Sequence, residues 1–207
     1  MCVCVCMCVC MCVCVCVCVC MCVCVCMCVC MCVCVCVCVV SGEVHDIMTL
    51  LRLNTRWADT GFSRELLIQD ESKFIRSFRE LNDELDGIFD LNGVQCISYL
   101  VPFSQVIISE NASGPLTSAA LSSLSKFVLY GFLSSAYPGA SEGINHIARC
   151  IPQCIFEETD WESDEVILMK LLELSSLCLR SDASGLLTVA AAWEIYETCI
   201  SIHNHTK

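Results

Sequence analysis

From residue 41 onward, apolar residues recur at three- and four-residue spacing, and this period sets the fold class. A helix that packs on one side shows an apolar stripe at i, i+3, i+4 and i+7. Val44, Ile47, Met48 and Leu51 form such a stripe, with the stem of Arg52 at its edge, in a first helix expected over Glu43 to Trp57. Ser41 is the expected N-cap, with Glu43 and Asp46 near the positive end of the helix dipole. A second helix is expected from Asp70 to Leu91, with Phe74, Phe78, Leu81, Leu85, Ile88 and Phe89 on its core face and Asn92-Gly93 as a left-handed stop. A third covers Cys96 to Ser109. Pro102 inside it calls either for a kink or for a helix start near Tyr99.

The Asn111–Pro115 turn opens a fourth helix reaching Leu133, with Leu116, Ala120, Leu124, Phe127, Val128 and Phe132 toward the core. A break at Ser134–Ala140 precedes a fifth helix over Ser141 to Cys154. Ser163 is expected to cap a sixth, running to Leu179, with Val166, Leu168, Met169, Leu172 and Leu177 apolar. A seventh covers Thr188 to Ile202. Seven helices with short links and no strand pattern predict an all-α array of the armadillo or HEAT kind, although no fixed repeat length is visible.

The first 40 residues obey a different rule. Positions 1–38 alternate Cys with Val or Met, and this stretch holds 19 of the 24 cysteines and no charge. A TG dinucleotide repeat reads Cys-Val-Cys-Val, and one G-to-A change turns a Val codon into Met. Residues 1–40 are therefore read as translated microsatellite DNA or a gene-model artefact, and 41–207 as the folded domain. A period of two would favour a strand. The alternatives are a membrane anchor and a thiolate metal cluster. The run is long and apolar but lacks flanking Lys or Arg and an aromatic belt, and no Lys offsets a thiolate charge.

All of the charge lies in the body, which carries a net −12. That excess disfavours nucleic acid and direct attraction to anionic lipid. Cys96, Cys150, Cys154, Cys178 and Cys199 are too unevenly spaced for a disulfide framework and suit a reducing compartment. No phosphate loop or nucleophile elbow occurs. His203 and His205 alone do not make a zinc site, and Cys150 and Cys154 read as core residues on one helix face. The acidic run Glu157, Glu158, Asp160, Glu162, Asp164, Glu165 reads as a solvated loop and helix start. The Asn111-Ala-Ser113 and Asn204-His-Thr206 sequons should stay unmodified without a secretory route. No cofactor, metal or catalytic site is expected.

Three blocks then carry a family resemblance: Ser41-Gly-Glu-Val…Arg-Leu-Asn-Thr-Arg-Trp57; Pro102-Phe103…Ser109-Glu110…Gly114-Pro115-Leu116-Thr117 with Lys126-Phe127; and Cys154-Ile-Phe-Glu-Glu-Thr-Asp160 with Ser163-Asp-Glu-Val-Ile-Leu-Met-Lys170. Leu187-Thr188, Ile195 and Cys199 add a weaker fourth. In this order they resemble the N-terminal dimerisation and cyclophilin-binding domain of large Arf guanine-nucleotide exchange factors of the Golgi brefeldin-A-resistance and GNOM type. The resemblance implies a non-catalytic regulatory module, with the exchange domain further along a longer protein and outside this sequence. It implies a homodimer that also contacts the next helical domain. Rab-, Arf- or Arl-type GTPases and cyclophilin are further partners, and the protein would be cytoplasmic and peripheral at Golgi membranes. It places Lys126 and Glu165 at positions that support dimerisation. Val101, Ile155 and His203–Lys207 depart from the family pattern, which puts partner contacts there in question.

Overall fold

The computed structural model describes residues 36–53, 64–154 and 161–205, with side chains placed at 36–53, 73–154 and 165–204. Within them lie seven α-helices: α1 over residues 36–53, α2 Arg64–Leu85, α3 Cys96–Ile107, α4 Gly114–Leu129, α5 Ala140–Cys150, α6 Trp161–Arg180 and α7 Val189–His205. No β-strand occurs among the described residues. The all-α expectation holds. The expected tail strand at 1–35, Trp57, the link through Thr60 to Ser63, and Glu157, Glu158 and Asp160 lie outside the described residues.

Helix α1 runs through the point where the composition changes. Ser41 therefore sits inside a helix and caps nothing, contrary to expectation. Val37 and Val40 bury on the same stripe as Val44, Ile47 and Leu51, because 37, 40, 44, 47 and 51 keep the helical period. The alternation of Cys and Val favours a strand locally, but burial of two valines against the domain core outweighs it here.

Glycines set two of the helix ends. The backbone of Gly131 has φ 76°, its N–H bonds the Val128 carbonyl, and the Phe132 N–H reaches back to Phe127 at 3.0 Å. This is a Schellman end, completed by the stacked rings of Phe127 and Phe132. It closes α4 four residues before the expected Leu133, yet keeps Phe132 in the core. Helix α2 likewise ends at Leu85, followed by Gly87 at φ 79°, so Gly87 supplies the left-handed stop assigned to Gly93. Gly93 instead closes a short 3-10 turn, Leu91–Gly93, whose start is capped by the Asp90 carboxylate. The shorter helix leaves Phe89 76% exposed rather than on the core face.

The other differences have simple causes. Helix α3 includes Pro102 in its interior, which excludes a start near Tyr99. In α6 the apolar residues lie on nearly every side, so the periodicity alone misassigned its face. The buried stripe is Ile167, Leu171, Leu174 and Cys178, while Val166 and Met169 are exposed. Helix α6 is already formed at Trp161, ahead of the expected cap at Ser163. Helix α5 ends at Cys150, so Cys154 lies past a 3-10 turn, Ile151–Gln153, and does not share its helix.

Helices stack in two rows. Helix α3 packs on α5 and α5 on α7, while α4 packs on α6 and joins the rows through α3. The junction is aromatic. Phe103 meets Phe78 of α2 at 5.0 Å and Phe127 of α4 at 5.3 Å, both edge-to-face, and Tyr99 meets Phe127 at 5.9 Å. The Tyr99 hydroxyl donates to the Phe132 carbonyl at 2.8 Å, which satisfies a polar atom that the core would otherwise strand.

Buried Asn145 on α5 fixes the entry to α7. Its Nδ2 donates to the Ser141 and Leu186 carbonyls, and its Oδ1 accepts the Thr188 N–H at 2.8 Å. Thr188 then accepts the Ala191 N–H through its Oγ1 at 3.2 Å and caps α7. Replacing Asn145 by Ala removes the partner of the part-buried Thr188 N–H and one partner of the Leu186 carbonyl, so urea unfolding should show a loss of about 1 kcal/mol. A loss under about 0.5 kcal/mol would contradict this role. A chain starting at Ser41 should likewise be about 2 kcal/mol less stable than one starting at Cys36, through the lost burial of Val37 and Val40. Equal unfolding midpoints would mean that residues 36–40 contribute nothing.

Candidate interaction site

Lys126 stands near the end of α4, its Nζ 2.5 Å from the Glu43 carboxylate on α1. Ser123, one turn earlier, donates to the other Glu43 oxygen at 2.8 Å. Glu43 is buried, with both oxygens occupied, although the sequence placed it simply in a first helical turn. The pair sits in a shallow groove between α1 and α4, where Ala119, Ser122 and Ser123 are too small to fill the space facing Asp46, Thr49 and Leu50. On α6, Lys170 bonds the Ser118 carbonyl at 3.3 Å and the Ser122 hydroxyl, so both long cations near α4 are spent on contacts within the chain.

Glu165, the second residue singled out by resemblance, is exposed near the start of α6. Its side chain faces solvent, whereas Lys126 turns toward α1. Glu162 and Asp164 have no described side chains, so the geometry of the acidic run lies outside the described residues.

Helix α7 carries two apolar stripes. Ala191, Ile195 and Ile202 bury against the array. On the opposite side, Val189, Trp193, Tyr196 and Ile200 fall at i, i+4, i+7 and i+11 and are 89%, 58%, 52% and 44% exposed. The Trp193 and Tyr196 rings touch at 5.6 Å and form a continuous surface. A surface helix ordinarily has one apolar face, and a second marks a place where another element packs. The spacing was present in the sequence, but a contiguous apolar run hides the division into two faces.

Ser104, His146 and Cys150 form a separate polar cluster between α3 and α5. The Ser104 hydroxyl donates to the Val101 carbonyl at 2.9 Å and lies 2.7 Å from His146 Nε2, with the Cys150 sulfur 3.7 Å from the same nitrogen. Burial holds the His146 pKa below its usual value, with nearby Arg149 acting in the same direction and Glu142 against it. Burial raises the Cys150 thiol as well and pushes Cys154 and Cys178 up to about 12. The Ser104–His146 contact, with Cys150 beside it, links α3 to α5. Among the described residues no group of three metal-ligating side chains converges, and no helix is long and apolar enough to cross a membrane.

No protein-family model matches the chain. It is similar to three exchange factors over 79% of its length. The Golgi-specific brefeldin A-resistance guanine nucleotide exchange factor 1 homolog of Caenorhabditis elegans is 29% identical. The ARF guanine-nucleotide exchange factors GNL1 and GNOM of Arabidopsis thaliana are 29% and 28% identical. The chain spans 8% of the worm protein and 11% of each plant protein. At 28–29% identity over 79% of its length, the chain is similar to the N-terminal region of large Arf guanine-nucleotide exchange factors.

Proposed function

We propose that this chain is a non-catalytic regulatory and dimerisation module, of the dimerisation and cyclophilin-binding type, from an Arf guanine-nucleotide exchange factor of Golgi vesicle trafficking. The module comprises residues 41–207 together with the last tail residues that α1 draws into the core. Exchange on Arf-type GTPases, peripheral Golgi attachment, contact with a neighbouring helical domain and cyclophilin binding belong to the larger protein in this reading. The names and sequences of the relatives support it.

The observation that carries the reading is the second apolar stripe of α7. Trp and Tyr are the residues on which protein interfaces concentrate their binding energy. In a two-fold dimer the same patch meets itself, and a straight apolar stripe of three turns is self-complementary when two copies cross antiparallel. We therefore assign a second copy of the chain to this face. Glu165 is exposed, and the resemblance implies that it supports dimerisation.

Sedimentation velocity on the whole chain at micromolar concentration should give twice the monomer mass. Trp193→Glu should shift it to monomer, with a melting midpoint equal to that of the wild type diluted below its association midpoint, because the ring is exposed within one copy. Glu165→Ala should weaken the dimer by about 1 kcal/mol or less, as rim charges do. The chain should not speed release of GDP from an Arf GTPase. A strict monomer, or accelerated release, would contradict the reading.

A further inference from the structure

We propose that Lys126 acts within one copy of the chain: with Glu43 it latches α1 onto α4, and any part it plays in self-association passes through the placement of α1. The second half of this statement rests on the dimerisation reading above; the first half does not.

The geometry supports an internal role. The Lys126 ammonium is 2.5 Å from one Glu43 oxygen, and Ser123 occupies the other. The Glu43 side chain is only 12% exposed, against 42% for Lys126, so the carboxylate is the member that depends on its partner. A buried carboxylate that loses its counter-ion keeps its desolvation cost, here with only the Ser123 hydroxyl left to offset it. Small side chains on α4 leave a groove at this crossing, beside the buried Val44 and Ile47 of α1, so the ion pair adds a directional contact to the apolar ones. Lys126→Glu would place two carboxylates at hydrogen-bond distance across the crossing and drive α1 away.

The test uses the whole chain in four forms: wild type, Lys126→Glu, the charge-swapped Glu43→Lys with Lys126→Glu, and the neutral pair Glu43→Gln with Lys126→Met. Melting midpoint and dimer dissociation constant are read for each. Lys126→Glu should lower the midpoint by about 4–8 °C and weaken the dimer at least about tenfold. The swapped or the neutral pair should recover most of both losses. An unchanged midpoint in Lys126→Glu would overturn the latch. So would a double variant that regains its midpoint yet stays monomeric, because Lys126 would then touch the second copy itself. If the wild type is monomeric at every concentration, the dimerisation reading fails. The latch then stands or falls on the midpoints: lowered by the single variant and restored by a pair, or not.

Discussion

The edge-to-face contacts of Phe103 with Phe78 and Phe127 hold the rest of the array in register. They join α2, α3 and α4 through a single side chain that is wholly buried. Each such pair adds about 0.5–1.5 kcal/mol beyond the apolar area it removes from water. Their directional value is greater than their energy. A ring edge can meet a ring face over only a narrow range of helix positions, so α4 is oriented once α3 is placed. The Schellman end of α4 then returns Phe132 to the same cluster, where its carbonyl receives the Tyr99 hydroxyl. From there α6 and α5 are carried on α4 and α3, and α7 on α5.

Polar groups decide what this apolar scaffold cannot. Two interfaces in the molecule are set by single satisfied side chains: Glu43 between α1 and α4, and Asn145 between α5 and the entry to α7. Both are buried, and both use their hydrogen-bonding capacity on backbone or side-chain partners in another element. Their effect is on position more than on net stability, since burial costs most of what the bonds return. Placement is what an interaction module requires. The bare stripe of α7 is presented at a fixed angle because Asn145 fixes the start of its helix.

The helices were legible in the sequence because their signal is local. The core face of α4 was read correctly from Leu116 to Phe132, and Pro115 marked its first turn. Faces failed where apolar residues surround the helix, as at Val166 and Met169 on α6. Ends failed where one glycine was chosen over another: Gly87 and Gly93 are six residues apart, and only tertiary packing decides which adopts the left-handed backbone. The Cys-Val stretch looked foreign to the fold, yet its last residues complete the core stripe of α1, because a composition boundary carries no information about burial. The Glu43–Lys126 pair was out of reach for a different reason. Its members are 83 positions apart, and no local pattern links them. The resemblance singled out Lys126 for dimerisation; the geometry shows that it faces its own α1.

Similarity to the N-terminal region of large Arf exchange factors and a helix with two apolar faces point the same way: the proposed work of this chain is to hold other polypeptides. The most direct measurement is hydrogen exchange of the backbone amides at two protein concentrations, one below and one above the association midpoint. Added protection at the higher concentration is expected to be concentrated in α7, with at most a small rise along α1 and none centred on Lys126. Exchange that is identical at both concentrations throughout α7, or protection centred on Lys126, would contradict it.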